Sequence, residues 1–307
     1  MPWEPTMYVP CVVNPLDLPT DSGIMSGEVT KIQLYRFVLA LVLACGLGGV
    51  AAHAGEVEKI LMVGNSLTYA YDIPAILEHF AADTKRTLVI TRHVTGGKDL
   101  TWHWSNPSKP SNQTAVEAIN QGGYDLVILQ DHSQRVSKAE GRTEFVRVTA
   151  EYTKLIAAKS MRSMFYMGHN RDPNITPESL QPTVDMYTQQ ADVLGIPCAP
   201  VALAFLRCNQ TYPKLALLDN QTDRTYGLNK MGTHQSPFGA YLAACTIWSA
   251  LYGQSPVGLT FHAAFDAKKE IEIAPADAAA AHESAWLTWQ EFAKQRPGAA
   301  PAKAKKR

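Results

Sequence analysis

Apolar runs in this chain are mostly short, and several of them end in glycine. The stretch Lys59-Ile60-Leu61-Met62-Val63-Gly64-Asn65-Ser66-Leu67-Thr68 is the most informative, with four apolar residues leading into Gly-Asn-Ser. That pattern reads as a buried strand closed by a tight turn, which leaves the Ser66 hydroxyl at the carboxyl edge of a sheet. Asp72 can then cap a helix that accepts Pro74 in its first turn and sets Ile73, Ile76, Leu77 and Phe80 on one face. Ser66 is therefore expected on a strand-to-helix connection, where open α/β sheets place their ligands.

The alternation continues downstream. Thr87–Val94 is β-branched enough for a second strand and ends in Thr95-Gly96-Gly97, whose glycines let backbone approach a ligand. Trp102-His103-Trp104 follows as loop sequence, either an aromatic wall for a ligand or local packing. Val116 and Ile119 mark a short helix stopped by Gly122-Gly123. Tyr124–Leu129 is a continuous apolar run of parallel-sheet type and ends in polar Gln130-Asp131-His132-Ser133. A helix over 144–158, a strand at Met164–Met167 and a helix over 176–194, broken near Pro182, come next. Pro197-Cys198-Ala199-Pro200-Val201 is a weak fifth strand, since its prolines exclude a central place. The segment 203–231 reads as loop. Ser236 and Pro237 then start a helix with Tyr241, Leu242, Ala244, Cys245, Trp248 and Leu251 inward, and His234 lies just ahead of it. A last helix spans about 275–292. Strand alternating with helix five times implies a parallel sheet covered on both faces.

Composition narrows the function classes. At 307 residues, 46% hydrophobic and 18% charged, the chain has the makeup of one large globular domain. With formal net charge zero and basic residues dispersed except at the end, nothing favours nucleic acid as a partner. Lys31 and Arg36 precede an apolar run, Phe37–Val50, that ends in Ala52-His53-Ala54, the layout of a secretory signal with a small-residue cleavage site. Met25 would give that signal an ordinary length. The expected organisation is thus residues 1–54 as extension and signal, 55–294 as the folded domain and 295–307 as a basic tail. The expected location is secreted or periplasmic. Cys45, after Leu43-Ala44, offers a competing lipoprotein anchor, and the run is short for a membrane span. Without the signal three cysteines remain, Cys198, Cys208 and Cys245. An odd number is no disulfide framework, although Cys198 and Cys208 could pair. No Cys or His spacing suggests zinc, and no metal or other cofactor is expected.

Taken in order, these blocks resemble the SGNH hydrolase superfamily, the GDSL-type esterases and lipases. Gly64-Asn65-Ser66-Leu67-Thr68 looks like the family's first block and Gly96-Gly97 like its glycine block. Leu129-Gln130-Asp131-His132-Ser133 looks like a variant third block, and the run from His234 to Ala244 like its histidine block. The resemblance covers about residues 57–258. It implies a three-layer α/β/α sandwich with a flavodoxin-like parallel sheet of about five strands, and a carboxylic ester hydrolase. Ser66 would be the nucleophile and His234 its base. The N–H of Ser66, the N–H of Gly97 and the Gln130 side chain would form the oxyanion hole, with Gly96 and His132 as substitutes. His132 and His169 are further candidates for substrate contact.

Two positions depart from the family. Its aspartate three residues before the histidine is Met231 here, and its third-block asparagine is missing. Methionine cannot orient an imidazole, so Asp219, Asp223 or Asn229 has to fold back, or a carbonyl holds the ring in a Ser-His dyad. Two readings follow. One is a secreted esterase taking small-molecule or carbohydrate esters, chiefly acetyl groups. The other is a carbohydrate-binding or surface protein that kept the fold and lost turnover.

Overall fold

The computed structural model describes residues 57–109, 111–135, 138–170, 174–221, 224–225, 234–260, 262–266 and 269–296. The leader with Cys45, the basic tail, and Asp223, Asn229 and Met231 lie outside the described residues.

Five strands form one parallel sheet: β1 (Val57–Gly64), β2 (Thr87–Val94), β3 (Leu126–Leu129), β4 (Arg162–Tyr166) and β5 (Cys198–Ala199), in the order β2-β1-β3-β4-β5. The sequence patterns explain the places. Every residue of β3 is buried, as a central strand requires. Strand β2 alternates buried Leu88 and Ile90 with exposed Thr87, Val89 and Thr91, so it sits at an edge with one face covered. Pro197 and Pro200 flank β5 and confine it to two residues at the opposite edge.

The helices are α1 (Ser66–Tyr69), α2 (Ile73–Asp83), α3 (Leu100–Ser105), α4 (Ala115–Gln121), α5 (Ala139–Ala158), α6 (Pro177–Leu194), α7 (Val201–Thr211), α8 (Pro237–Tyr252) and α9 (Pro275–Gln295). Helix α5 packs on β4 and touches α3, α4 and α6, while α8 packs on β5 and touches α2, α7 and α9. The result is the expected three-layer α/β/α sandwich. Helix α8 is apolar all round and buried from Pro237 to Leu251, because α9 covers the side turned away from the sheet. Strands β6 (His262–Asp266) and β7 (Lys269–Glu272) form a separate antiparallel pair.

Four elements differ from the sequence reading. Trp102-His103-Trp104 is helical, since Asp99 caps α3 by accepting the Trp102 N–H at 2.8 Å. The stretch 203–231 is not all loop: α7 occupies its start, burying Val201, Ala202, Ala204, Phe205 and Cys208 at helical spacing. Helix α5 begins at Ala139 rather than 144. Gly141 permits this, because a Cβ there would lie 2.1 Å from the Arg135 carbonyl oxygen. Helix α6 runs unbroken through Pro182, whose missing hydrogen bond falls on an exposed face where water can serve the freed carbonyl. Cys198, Cys208 and Cys245 are all buried and free, so Cys198 and Cys208 are not bridged.

Candidate active site at the carboxyl edge of the sheet

The sheet order reverses between β1 and β3, the place where this topology opens a crevice at the strand ends. Strand β1 delivers Gly64, Asn65 and Ser66 there. Asn65 caps α1, its side-chain oxygen accepting the Leu67 N–H at 3.1 Å, so that Ser66 becomes the first residue of a single helical turn. The glycine ahead of it is required. A Cβ on Gly64 would stand 2.4 Å from Thr68 Oγ1 and 2.7 Å from Gln130 Oε1.

The second segment is the turn after β2. Lys98 N–H closes it onto the Thr95 carbonyl at 3.3 Å, with Gly97 at φ +68°, a left-handed conformation suited to glycine. Asn65 ties the two segments together, its Nδ2 donating to the Lys98 carbonyl at 2.9 Å. Gly96 and Gly97 are both exposed, and a Cβ on Gly97 would meet nothing within 4 Å. The N–H groups of Ser66 and Gly97 donate to no described residue. A Cβ on Gly96 would lie 2.7 Å from the Tyr69 hydroxyl.

The third segment carries His234, whose Nε2 lies 2.8 Å from Ser66 Oγ across 168 positions of sequence. The strip before α8 holds it there. Leu218 pairs with Gln235 in an antiparallel bridge, Asp219 N–H donates to the His234 carbonyl at 2.9 Å, and the Ser236 hydroxyl both donates to the Ala216 carbonyl at 2.6 Å and caps α8. Asp219 is buried beside this strip, and its carboxylate accepts the Tyr71 hydroxyl at 2.7 Å. Tyr71 and Asp72 are consecutive non-glycine residues with positive φ, 59° and 47°, at the exit from α1. Burial is the first cause that raises the Tyr71 phenol well above its ordinary range, with Asp219 adding to it.

Gln130 does not hold the place the sequence suggested. It is buried at the end of β3, and its Oε1 accepts the Asn65 N–H at 3.0 Å and the Thr68 hydroxyl at 2.9 Å. Since a backbone N–H can only donate, that oxygen assignment is fixed, and the amide nitrogen turns to the Asp131 carbonyl. The side chain offered as a third oxyanion donor is instead a brace under the turn that carries Ser66. His132 is half-buried, with its Nδ1 accepting the Gln134 N–H at 3.3 Å. His169 is buried and stacked on Phe205, ring centroids 4.6 Å apart. Asp131 is an internal group that accepts the Leu100 N–H at 2.9 Å and faces Arg135 at 3.5 Å; burial pushes its carboxyl up to about 6. Of the aromatic pair, Trp104 packs edge-on against Tyr152, and Trp102 lies half-buried with Lys98 Nζ 5.3 Å from its ring centre.

Two residues the sequence left without roles shape this site. Asn65 was legible as a helix cap, by its position one residue ahead of a helical turn. Gln235 carried no signal of its own, because its partners are main-chain carbonyls of α1. Among the described residues, no group of three or more His, Cys, Asp or Glu is placed to hold a metal ion, and no helix is long and apolar enough to cross a membrane.

No protein-family profile and no curated protein sequence matches the chain. Solved structures do. A DUF4886 family protein from Bacteroides uniformis superposes with TM-score 0.58 at 17% identity, over 80% of this chain and 97% of that one. A protein from Slackia heliotrinireducens, named as a candidate SGNH hydrolase, gives TM-score 0.46 at 23% identity, covering 62% and 97%. An acetylxylan esterase from Geobacillus stearothermophilus, in a catalytic-mutant form, gives 0.46 at 11% identity, covering 62% and 92%. The likeness is one of architecture, and by its five-stranded parallel sheet and flanking helices the chain shares the α/β/α fold of the Bacteroides uniformis protein.

Proposed function

We propose that this protein is a serine hydrolase of the SGNH type that cleaves carboxylic esters, with Ser66 as nucleophile and His234 as general base. The observation that carries the reading is the 2.8 Å contact between Ser66 Oγ and His234 Nε2 at a sheet edge. With Nε2 as acceptor, the imidazole takes the hydroxyl proton as oxygen attacks the ester carbonyl, then returns it to the leaving alcohol; water repeats the cycle on the acyl-enzyme. The negative oxygen that forms needs preorganised donors, and the N–H groups of Ser66 and Gly97 face that task, with Gly96 as the alternative. The ring-orienting group comes from Asp219, which lies beside the histidine strip, or from Asp223 or Asn229.

Small acyl groups on polar alcohols suit this rim best, acetyl esters of carbohydrates in particular. The glycine turn is exposed, Ser66 is only half-buried, and Trp102 of α3 lies half-buried against Lys98. The leader at 25–54 fits a secreted or periplasmic enzyme, and the first residue of the exported protein, Gly55 or an acylated Cys45, decides between cleavage and lipid attachment. The central test is hydrolysis of p-nitrophenyl acetate by the wild type and Ser66→Ala. Loss of nearly all turnover in the variant is expected. Equal rates would remove the esterase reading and leave a binding protein on a hydrolase fold. A series from acetate to octanoate tests the acyl preference, which is wrong if the rate rises with chain length.

A further inference from the structure

We infer that Gln235 is a positioning residue, one that locks the helical turn bearing Ser66 to the strip bearing His234; this rests on the esterase reading above. Its side chain is fully buried, and its Nε2 donates to the Leu67 carbonyl at 3.1 Å and to the Ala70 carbonyl at 3.0 Å. Both acceptors belong to α1 or its C-cap, a four-residue turn too short to be stable alone. Helix ends leave carbonyls without partners, and here the partner is the chain neighbour of the base. A shift of the histidine strip therefore carries the nucleophile turn with it, and the 2.8 Å spacing survives small motions of either.

A second observation separates positioning from plain stabilisation. Gln235 Oε1 is buried without a hydrogen-bond partner among the described residues. An unpaired buried amide oxygen is destabilising and offsets part of what the two donated hydrogen bonds contribute. The position uses both protons of one NH₂ group and nothing else of the amide. Neighbouring groups do other work. Tyr166 donates its hydroxyl to the same Leu67 carbonyl at 3.0 Å from β4, and Gln130 braces the other end of the turn.

The test compares Gln235→Met, which keeps length and removes both donors, with Gln235→Glu. A carboxyl facing two carbonyl oxygens and shielded from water holds its proton above the ordinary range and supplies one O–H donor. For Gln235→Met, kcat on p-nitrophenyl acetate falls roughly 10- to 100-fold with KM within about twofold, the size of effect a displacement near 1 Å produces. Labelling of Ser66 by a fluorophosphonate probe slows in parallel. Gln235→Glu keeps more activity than Gln235→Met, and its rate relative to the wild type at the same pH rises as pH falls through the protonation of its carboxyl. Unchanged kcat in Gln235→Met overturns the proposal, as does a fall in unfolding midpoint with turnover intact. Should Gln235→Met fail to fold, Gln235→Glu decides: wild-type kcat with no acid-side gain overturns the proposal. If Ser66→Ala matches the wild type, the esterase reading fails first; if Ser66→Ala is dead and Gln235→Met is not, only the positioning role fails.

Discussion

Replacing Gln130 by leucine separates two roles that the residue could have played. In the structure its carbonyl oxygen serves two donors, the Asn65 N–H and the Thr68 hydroxyl, in a space where 1% of the residue is exposed. Leucine fits the volume and offers neither. The Thr68 hydroxyl can rotate to another acceptor, but the Asn65 N–H cannot, and an unpaired buried donor costs about 1–3 kcal/mol. The Asp131 carbonyl loses its partner as well, and burying leucine in place of an amide returns part of the loss. The net expectation for Gln130→Leu is a destabilisation of roughly 2–4 kcal/mol, read as a lower midpoint in urea at unchanged slope. Turnover falls as the nucleophile turn loosens. An oxyanion donor behaves otherwise: its removal lowers kcat by about 10²–10³ and leaves stability nearly alone. A Gln130→Leu protein as stable as the wild type within about 0.5 kcal/mol, with kcat down by that factor, would refute the bracing argument.

Further outcomes follow from other parts of the fold. Burial pushes the His93 and His103 imidazoles down to about 4 from 6.5, the neighbouring His93 ring adding to the effect on His103, while Asp131 is raised from 3.8 to about 6. Between about 6.5 and 4 the unfolded chain therefore binds two protons that the folded chain refuses, and stability falls as pH falls through that window. Asp131 opposes this below about 6, where the folded state takes up a proton first. The melting temperature should be lower at pH 5 than at pH 7, and the drop should steepen in Asp131→Asn; a flat profile would contradict both histidine assignments. Gly239→Ala gains up to about 1 kcal/mol of helix propensity, yet its Cβ would sit 2.2 Å from the Leu217 carbonyl oxygen, a main-chain atom that cannot swing aside. We expect the clash to dominate, with a lower unfolding midpoint and weaker esterase activity, since Leu217 also holds Ser236. An alanine variant as stable and active as the wild type would show that the strip can move freely.

Much of this architecture could be read from the amino acids because its signals are local. Asp72 and Ser236 open helices α2 and α8 as cap chemistry dictates, and the β-branched run Thr87–Val94 forms the second strand it suggests. Ser66 and His234 were legible as candidates from the turn and helix-start signals around them. What escaped was decided at a distance. The Gln130 amide looked free to donate because only the fold brings the Asn65 N–H and the Thr68 hydroxyl to its oxygen. Gln235 reads as any polar residue before a cap, and its acceptors lie 165 and 168 positions away. Helix α7 was missed for a different reason. Its first residue, Val201, reads equally well as the β-branched end of the short strand before it, and no side-chain cap marks the helix start at Pro200.

The separation of the hydroxyl from its imidazole has a bearing on how the protein is made. Strands β1 and β2 leave the ribosome early, and their pairing can present Ser66 long before residue 234 has been synthesised. Chains that fold from the N-terminus as they emerge would at that stage hold an ordinary alcohol with no base beside it. The pair forms only when α8 docks and draws its leading strip across the sheet edge, among the last non-local contacts to close. Recovery of probe labelling during refolding would accordingly report on completion of the whole domain, and a nascent chain halted before α8 would stay chemically silent.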